Sequence, residues 1–423
     1  MKRFISQIAM FAICLGCPLV SLAQTDSADG YTNDSCMECH AEMAEDHAAS
    51  THNAIQCLAC HPQAADEAHE ESTPPPVDCR RCHASHDEKM AHDAHTRVTC
   101  KACHQQYGVP ARDLGSGRVV FGGKTLPGRA LSPHQMVARQ GDASCRRCHF
   151  NDNDLGASAT VLPPKGILCM PCHAATFSMG DRTTIFSLLI FALGMGGLGA
   201  VWLSGGRTKQ SGHGPTGGAA AVVVALIDDV LCLKKLYRLS PARWMVHALI
   251  YYPILMRLAV GMIALILSLT LPDLDLTRAM LNKNNPLRAL FFDLTGLMII
   301  AGVCAALLRD REDRPPVSNL PVPGRGMTLL LGLIVLAGFI LEGLRLAMTG
   351  WPDGAHYAVI GYGISLLVKG MTGISHLYGY VWYGHAILTG AFVAMIPFTR
   401  MMHMLTAPVV LMATARSKHS EPV

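Results

Sequence analysis

The sequence carries little net charge. A formal surplus of +4 over 423 residues is too small to argue for nucleic acid as a partner. Up to about Asp181 it is poor in apolar residues beyond the N-terminal run, so that part cannot build an ordinary hydrophobic core. After that point it almost lacks polar faces, which rules against a soluble helical core. A disulfide framework is missing too, despite 16 cysteines. Cys14 and Cys17 lie in the N-terminal apolar run, Cys232 and Cys304 in the apolar half, and the other twelve form six pairs of one kind.

The start reads as an export signal over residues 1–23. Lys2 and Arg3 precede an apolar run, and small residues around Ala23 offer a cleavage site before Gln24. A retained anchor is the rival reading; Cys17 after Gly16 suggests lipoprotein processing only faintly. Every version places residues 24–181 outside the cytoplasm.

In that exported segment Cys36 and Cys39 precede His40, Cys57 and Cys60 precede His61, and Cys79 and Cys82 precede His83. Cys100 and Cys103 precede His104, Cys145 and Cys148 precede His149, and Cys169 and Cys172 precede His173. This C-x-x-C-H spacing is the attachment signature of a c-type haem. Two thiols so spaced reach the two vinyl groups of one porphyrin, and the adjacent His meets the iron. Such cysteines also serve zinc and thiol redox chemistry, but six copies, each ending in His behind an export signal, favour haem. Their spacing is irregular, which argues against a strict repeat.

Each iron needs a sixth ligand, and the segment holds seven spare imidazoles: His47, His52, His69, His86, His92, His95 and His134. They point to mostly bis-His haems suited to relaying electrons, with Met170 or Met179 as an alternative for a late haem. Roughly 150 residues surround six macrocycles, so the porphyrins themselves supply much of the core and folding depends on their attachment. Short helices and long loops are expected. The motif-free stretch 107–139 reads as a hairpin or a partner-facing loop.

Five apolar stretches follow at 183–203, 244–271, 287–308, 327–348 and 377–398, each near the twenty residues a bilayer demands. With the haem segment outside, the inner loops carry Arg207, Lys209, Lys234, Lys235, Arg238 and Arg243, then Arg309, Arg311, Arg314 and Arg325, then Arg400, Arg416 and Lys418 in the tail. The outer loops are poorer, as the positive-inside rule requires. The fold expected is mainly α: a haem-packed small-helix and loop domain at 24–181, a five-span bundle at 182–410, and a cytoplasmic tail at 411–423. The location expected is the inner membrane.

Ionisable residues within spans mark functional candidates. His247 lies at the inner end of the second span, His385 toward the outer part of the fifth, and His403 eighteen residues later. Eighteen residues are five helical turns, so His385 and His403 are expected to share one face about 27 Å apart. That separation suits two haems, one near each surface, with His247 and His403 clamping the inner one. Arg257, Asp293, Glu342 and Arg345 fall in the outer half. Glu342 and Arg345 can simply pair, one turn apart. Alternatively, Arg257 meets a haem propionate while Glu342 or Asp293 accepts quinol protons.

The run Arg243, Trp244, Met245, Val246, His247, the stretch from His376 to His385, and the stretch from Pro397 to His403 before Ala407 and Pro408 resemble a known family. They are similar to the membrane cytochrome b (gamma) subunit of respiratory nitrate reductases and its relatives in heterodisulfide-reductase-like and sulfate-reducer complexes. The resemblance covers 244–408. It implies two b haems and electron exchange with quinone. Where the nitrate-reductase type has a second His ten residues after the first, this chain has Arg257, so His385 lacks its expected partner. His376 or His356 would substitute, or the outer haem is absent.

The cofactors expected are thus six c haems and one or two b haems, with quinone as substrate. The function expected is electron transfer between the quinone pool and a periplasmic redox protein, as a quinol-linked oxidoreductase subunit. Two alternatives remain. One is a membrane subunit docking a cytoplasmic iron–sulfur partner; the other is a terminal reductase with an open haem position, which seven spare histidines argue against.

Overall fold

The computed structural model describes residues 32–65, 77–83, 95, 97–113, 117–129, 134–137, 145–179, 181–205, 219–272, 274–309 and 325–417. The export signal and the candidate ligands His69, His86 and His92 lie outside them. The chain forms two compact units, Met1–Asp78 and Cys79–Val423. The second therefore contains the last four C-x-x-C-H motifs together with the apolar stretches.

In the first unit, α1 (Asn33–Cys39) starts with a capping box in which the Thr32 hydroxyl accepts from the Ser35 amide. α2 (Ala44–Ala49) and α3 (Cys57–Cys60) follow. Asn33 joins the two motifs there: its Oδ1 accepts from the Cys57 amide at 2.9 Å, and its Nδ2 donates to the Ile55 carbonyl at 3.2 Å.

The second unit begins with the third motif. α4 (Cys100–His104) leads into β1 (Gly108–Arg112), which pairs antiparallel with β2 (Val119–Thr125). The hairpin alternative for the motif-free stretch is the one adopted. β2 also reaches back, because its Val119 carbonyl accepts from Thr99 just before α4.

Among the described residues, five helices are long and apolar enough to cross a membrane: α5 (Arg182–Gly205), α8 (Pro241–Thr270), α10 (Pro286–Arg309), α11 (Arg325–Met348) and α13 (Ile374–Met395). Their boundaries follow the chemistry of their ends. Asp181 caps α5 through the Thr184 amide at 2.7 Å, while Ser240 caps α8 with Pro241 in its first turn. Ile299, Val303, Leu331, Val335 and Phe339 form the core between α10 and α11, with Ile250 and Ile254 of α8 and Phe392 of α13 against it. Gly302 lets α8 approach closely, since a Cβ there would meet the Ile250 side chain at 2.7 Å. Large apolar side chains face outward, such as Leu193 (75 % exposed) and Ile266 (53 %), as lipid rather than water as solvent demands.

Shorter helices occupy the connections. α6 (Ala219–Ala225), a π-helical segment Leu226–Leu231 and α7 (Lys234–Leu239) precede α8. Lys234 and Lys235 there pair with Asp228 and Asp229. α9 (Asp275–Leu281) joins α8 to α10, and α12 (Val359–Leu367) packs on α11 between the fourth and fifth apolar helices.

One expectation is corrected. His385 and His403 do not lie on one continuous helix. α13 gives way to 3-10 turns at Ile396–Phe398 and Arg400–Met402, with Thr399 extended between them, before α14 (His403–Ser417) begins. Pro397 has no amide hydrogen to continue the ladder, so the shared helical face and its spacing do not apply. α14 also runs through the 410/411 boundary and packs against α6.

Candidate functional site

Every C-x-x-C-H motif forms a helical turn. The amide of the motif histidine donates to the carbonyl of its first cysteine at His40 (3.0 Å), His61 (2.9 Å), His83 (3.0 Å), His149 (2.9 Å) and His173 (2.8 Å). The fourth motif is α4 itself. One turn brings residues three and four apart onto the same face, so both thiols and the imidazole of a motif face one way. That is the geometry covalent porphyrin attachment needs.

Three pairs of successive motifs lie side by side, the first with the second, the third with the fourth, and the fourth with the fifth. The Cys57 thiol interacts with that of Cys36, and burial together with Cys36 raises its pKa. Within the second unit the Cys79 thiol interacts with Cys100, and that of Cys148 with Cys103. Burial, with the Cys103 sulfur adding, pushes the Cys148 thiol up to about 11, while Arg147 opposes the rise. Arg147 joins the fourth and fifth motifs. Its guanidinium donates to the carbonyls of Cys103 (2.8 Å), Gln105 (2.9 Å) and Gly108 (2.8 Å).

Three imidazole pairs stand out. The rings of His95 and His149 have centroids 6.2 Å apart and cross at 87°. Those of His173 and His385 are 6.3 Å apart at 67°, and those of His247 and His403 are 5.8 Å apart at 46°. Metal–imidazole bonds of about 2 Å on opposite sides of one iron put ring centroids about 6 Å apart. All three pairs fit that demand. In two of these pairs one ring is also oriented: Nδ1 lies within hydrogen-bond reach of the Ser158 carbonyl for His149 (2.8 Å) and of Arg400 for His403 (2.6 Å), and the Val137 carbonyl holds the fourth-motif His104 in the same way (2.9 Å). Holding one ring nitrogen on a carbonyl directs the other outward as a ligand.

The two cross-bundle pairs sit at different levels of α8. His247 stacks on Tyr251 (5.9 Å, 17°) near its start. Fourteen residues on, Gly261 packs against the His173 carbonyl, where a Cβ would come within 3.0 Å. At 1.5 Å per residue these levels differ by about 21 Å. The sixth motif is thereby inserted into the bundle: Met170 and Ala175 are buried with Leu265 of α8, and Cys169 packs beside them. Phe292 stacks on His173 at 5.8 Å and 6°.

The four charged residues read within the outer half of the bundle, Arg257, Asp293, Glu342 and Arg345, are all held. Arg257, 7 % exposed, donates to the Thr295 hydroxyl at 2.8 Å and to the Phe292 carbonyl, and lies beside the Cys172 thiol. Arg345 grips the Glu342 carboxylate twice, at 2.7 and 3.1 Å, and donates to Asn284 at 2.7 Å. Asp293 accepts from the Ile360 amide at the start of α12, at 2.6 Å. Gly361 of α12 lies against Glu342, where a Cβ would meet its Cγ at 2.6 Å.

Near the fifth motif, Asn153 organises a loop by bonding to Phe150, Leu155 and Ala157. This loop docks on the start of α13. The Asp152 carboxylate accepts from the Gly373 amide at 3.0 Å, and the Ala159 amide donates to the Ser375 carbonyl.

Of the other candidates, His47 lies in α2 and His52 in the turn after it. His134 sits beside Gln135, whose carbonyl accepts from Gln106. Met170 is buried, whereas Met179, His356 and His376 are exposed. The sequence reading did not single out Arg147, Gly261 or Phe292; a glycine in the middle of an apolar helix was the one visible signal among them. Among the described residues, no cluster of three or more His, Cys, Asp or Glu is placed to hold a bare metal ion. A haem iron asks the protein only for axial ligands, at most two. No family model, curated protein or solved structure matches the chain.

Proposed function

We propose that this chain is a quinone-linked electron conduit of the inner membrane. It would connect the quinone pool to a periplasmic electron-transfer protein through six c haems and a b haem. The observation that carries this reading is the arrangement of imidazole pairs: two at different levels of one bundle, and a third in the motif segment docked on its end. Bound haems supply one-electron carriers, and the residues determine where those carriers stand.

His247 and His403 would hold the b haem, with Tyr251 stacked on His247 to fix that ring. The six cysteine pairs would anchor the c haems. Arg147 holds the fourth and fifth motifs side by side, and the Asp152 loop holds the fifth against α13. Quinol oxidation releases two protons, which need acceptors. Glu342 and Asp293, both beside α12, are assigned that role, and Arg345 holds the Glu342 carboxylate in position. Arg257 supplies a fixed cation next to the sixth motif, suited to a haem propionate.

Membranes containing the protein test the reading. Added quinol should reduce the c haems, or reduced c haems should reduce quinone. Failure in both directions rejects it. Glu342→Gln and Asp293→Asn variants should slow quinol turnover without changing haem content; normal rates would remove both carboxylates from the proton path.

A further inference from the structure

We propose that the haem anchored at Cys169 and Cys172 takes His385 as its second axial ligand. One c-type haem would then be shared between the exported segment and α13, in place of an outer b haem. This rests on the haem reading above but not on quinone as the substrate.

α8 carries one histidine, His247, which faces His403, and has Arg257 at the level of the sixth motif, so it offers His385 no imidazole partner. The structure assigns one elsewhere. His173 faces His385 with ring centroids 6.3 Å apart, close to the 6.2 Å of His95 and His149 and the 5.8 Å of His247 and His403. The His385 ring interacts with the backbone of Ile334, and its Nδ1 is buried without a hydrogen-bond partner, as a nitrogen left for a ligand would be. The substitutes, His356 in a turn before α12 and His376 in the first turn of α13, are exposed.

The surroundings are built to hold the motif inside the bundle. Gly261 gives up its side chain to let the His173 carbonyl approach α8. Phe292 stacks flat on the His173 ring, and its own face carries the Arg257 guanidinium at 5.0 Å. Arg257 is in turn committed to Thr295, the Phe292 carbonyl and the Cys172 side. Arg257 therefore supports the anchor of a covalent haem here. Attachment would come from the exported loop and the opposing ligand from the membrane.

His385→Ala in the full-length protein tests this, with His247→Ala as comparator. The His385→Ala protein should keep all six covalent haems and its full b haem content. One low-spin ferric signal should become high-spin in electron paramagnetic resonance, and added imidazole should restore it. His247→Ala should lose b haem only. Loss of b haem in His385→Ala, or c haems that all stay low-spin, would overturn the assignment. Should His385→Ala fail to accumulate, wild-type protein decides: two b haems per six c haems would also overturn it. Failure of quinol to reduce the wild-type haems would instead reject the proposed function and leave these readouts untouched.

Discussion

Replacing Arg147 by Gln should loosen the junction between the fourth and fifth motifs. The guanidinium is half-buried and donates to three backbone carbonyls at 2.8–2.9 Å. Hydrogen bonds from a charged donor contribute about 1.5–3 kcal/mol each, and partial solvent access brings the sum down to about 2–4 kcal/mol. Gln can serve one of the three carbonyls. Global melting is a poor readout, because a chain of two compact units with five long apolar helices does not unfold in two states. Hydrogen exchange reads the local effect. Amides around α4 and the fifth motif should exchange on the order of 10²-fold faster, given 1.4 kcal/mol per tenfold. Arg146→Gln is the control: its side chain is exposed, and a surface change stays within about 0.5 kcal/mol. Protection in Arg147→Gln equal to that in Arg146→Gln would refute the reasoning.

Three further outcomes are expected. Gly261→Val places a branched side chain where even a Cβ lies 3.0 Å from the His173 carbonyl, so it should shift the ferric spectrum of one c haem; an unchanged spectrum would mean the contact is not needed. Asp152→Asn removes a carboxylate from the start of α13 and should cost about 1 kcal/mol, seen as faster exchange across residues 150–160. The His95 and His149 rings cross at 87°, so the fifth haem should give a strongly anisotropic low-spin ferric signal, lost in His95→Ala while covalent haem is retained.

Much of this organisation was legible in the sequence, for identifiable reasons. Span boundaries follow from apolar length, so stretches read at 287–308 and 327–348 appear as Pro286–Arg309 and Arg325–Met348. The meeting of His247 with His403 followed from equal depth, a one-dimensional property. The hairpin Gly108–Arg112 with Val119–Thr125 follows from β-branched residues flanking glycines. What resisted reading depends on contacts between distant positions. His95 lies just before the fourth motif yet faces the histidine of the fifth, and His173 meets a residue from the last apolar helix. Sequence spacing carries no information about either. The break after α13 had a visible cause in Pro397, but a proline kinks some helices and ends others, and the extended Thr399 is what ends this one. Short helices such as α12 and α6 resemble apolar loops because their length is too small for periodicity to declare itself.

The arrangement also suggests why the segment from Cys79 onward packs as one unit with the apolar helices. Hydrogen bonds from Asp152 and Ala159, and the insertion of the sixth motif against Leu265, tie motif and bundle together. The relay proposed above, with carriers at fixed distances, would benefit from such direct attachment, because positioning depends on rigid support.

A pyridine haemochrome assay on the purified full-length protein tests the central claim most directly, since it counts covalent and non-covalent haem together. The account predicts c and b haem in a ratio of six to one, matching six cysteine pairs and the His247–His403 pair. Protein without a Soret band, or with zinc at its thiols, would contradict it.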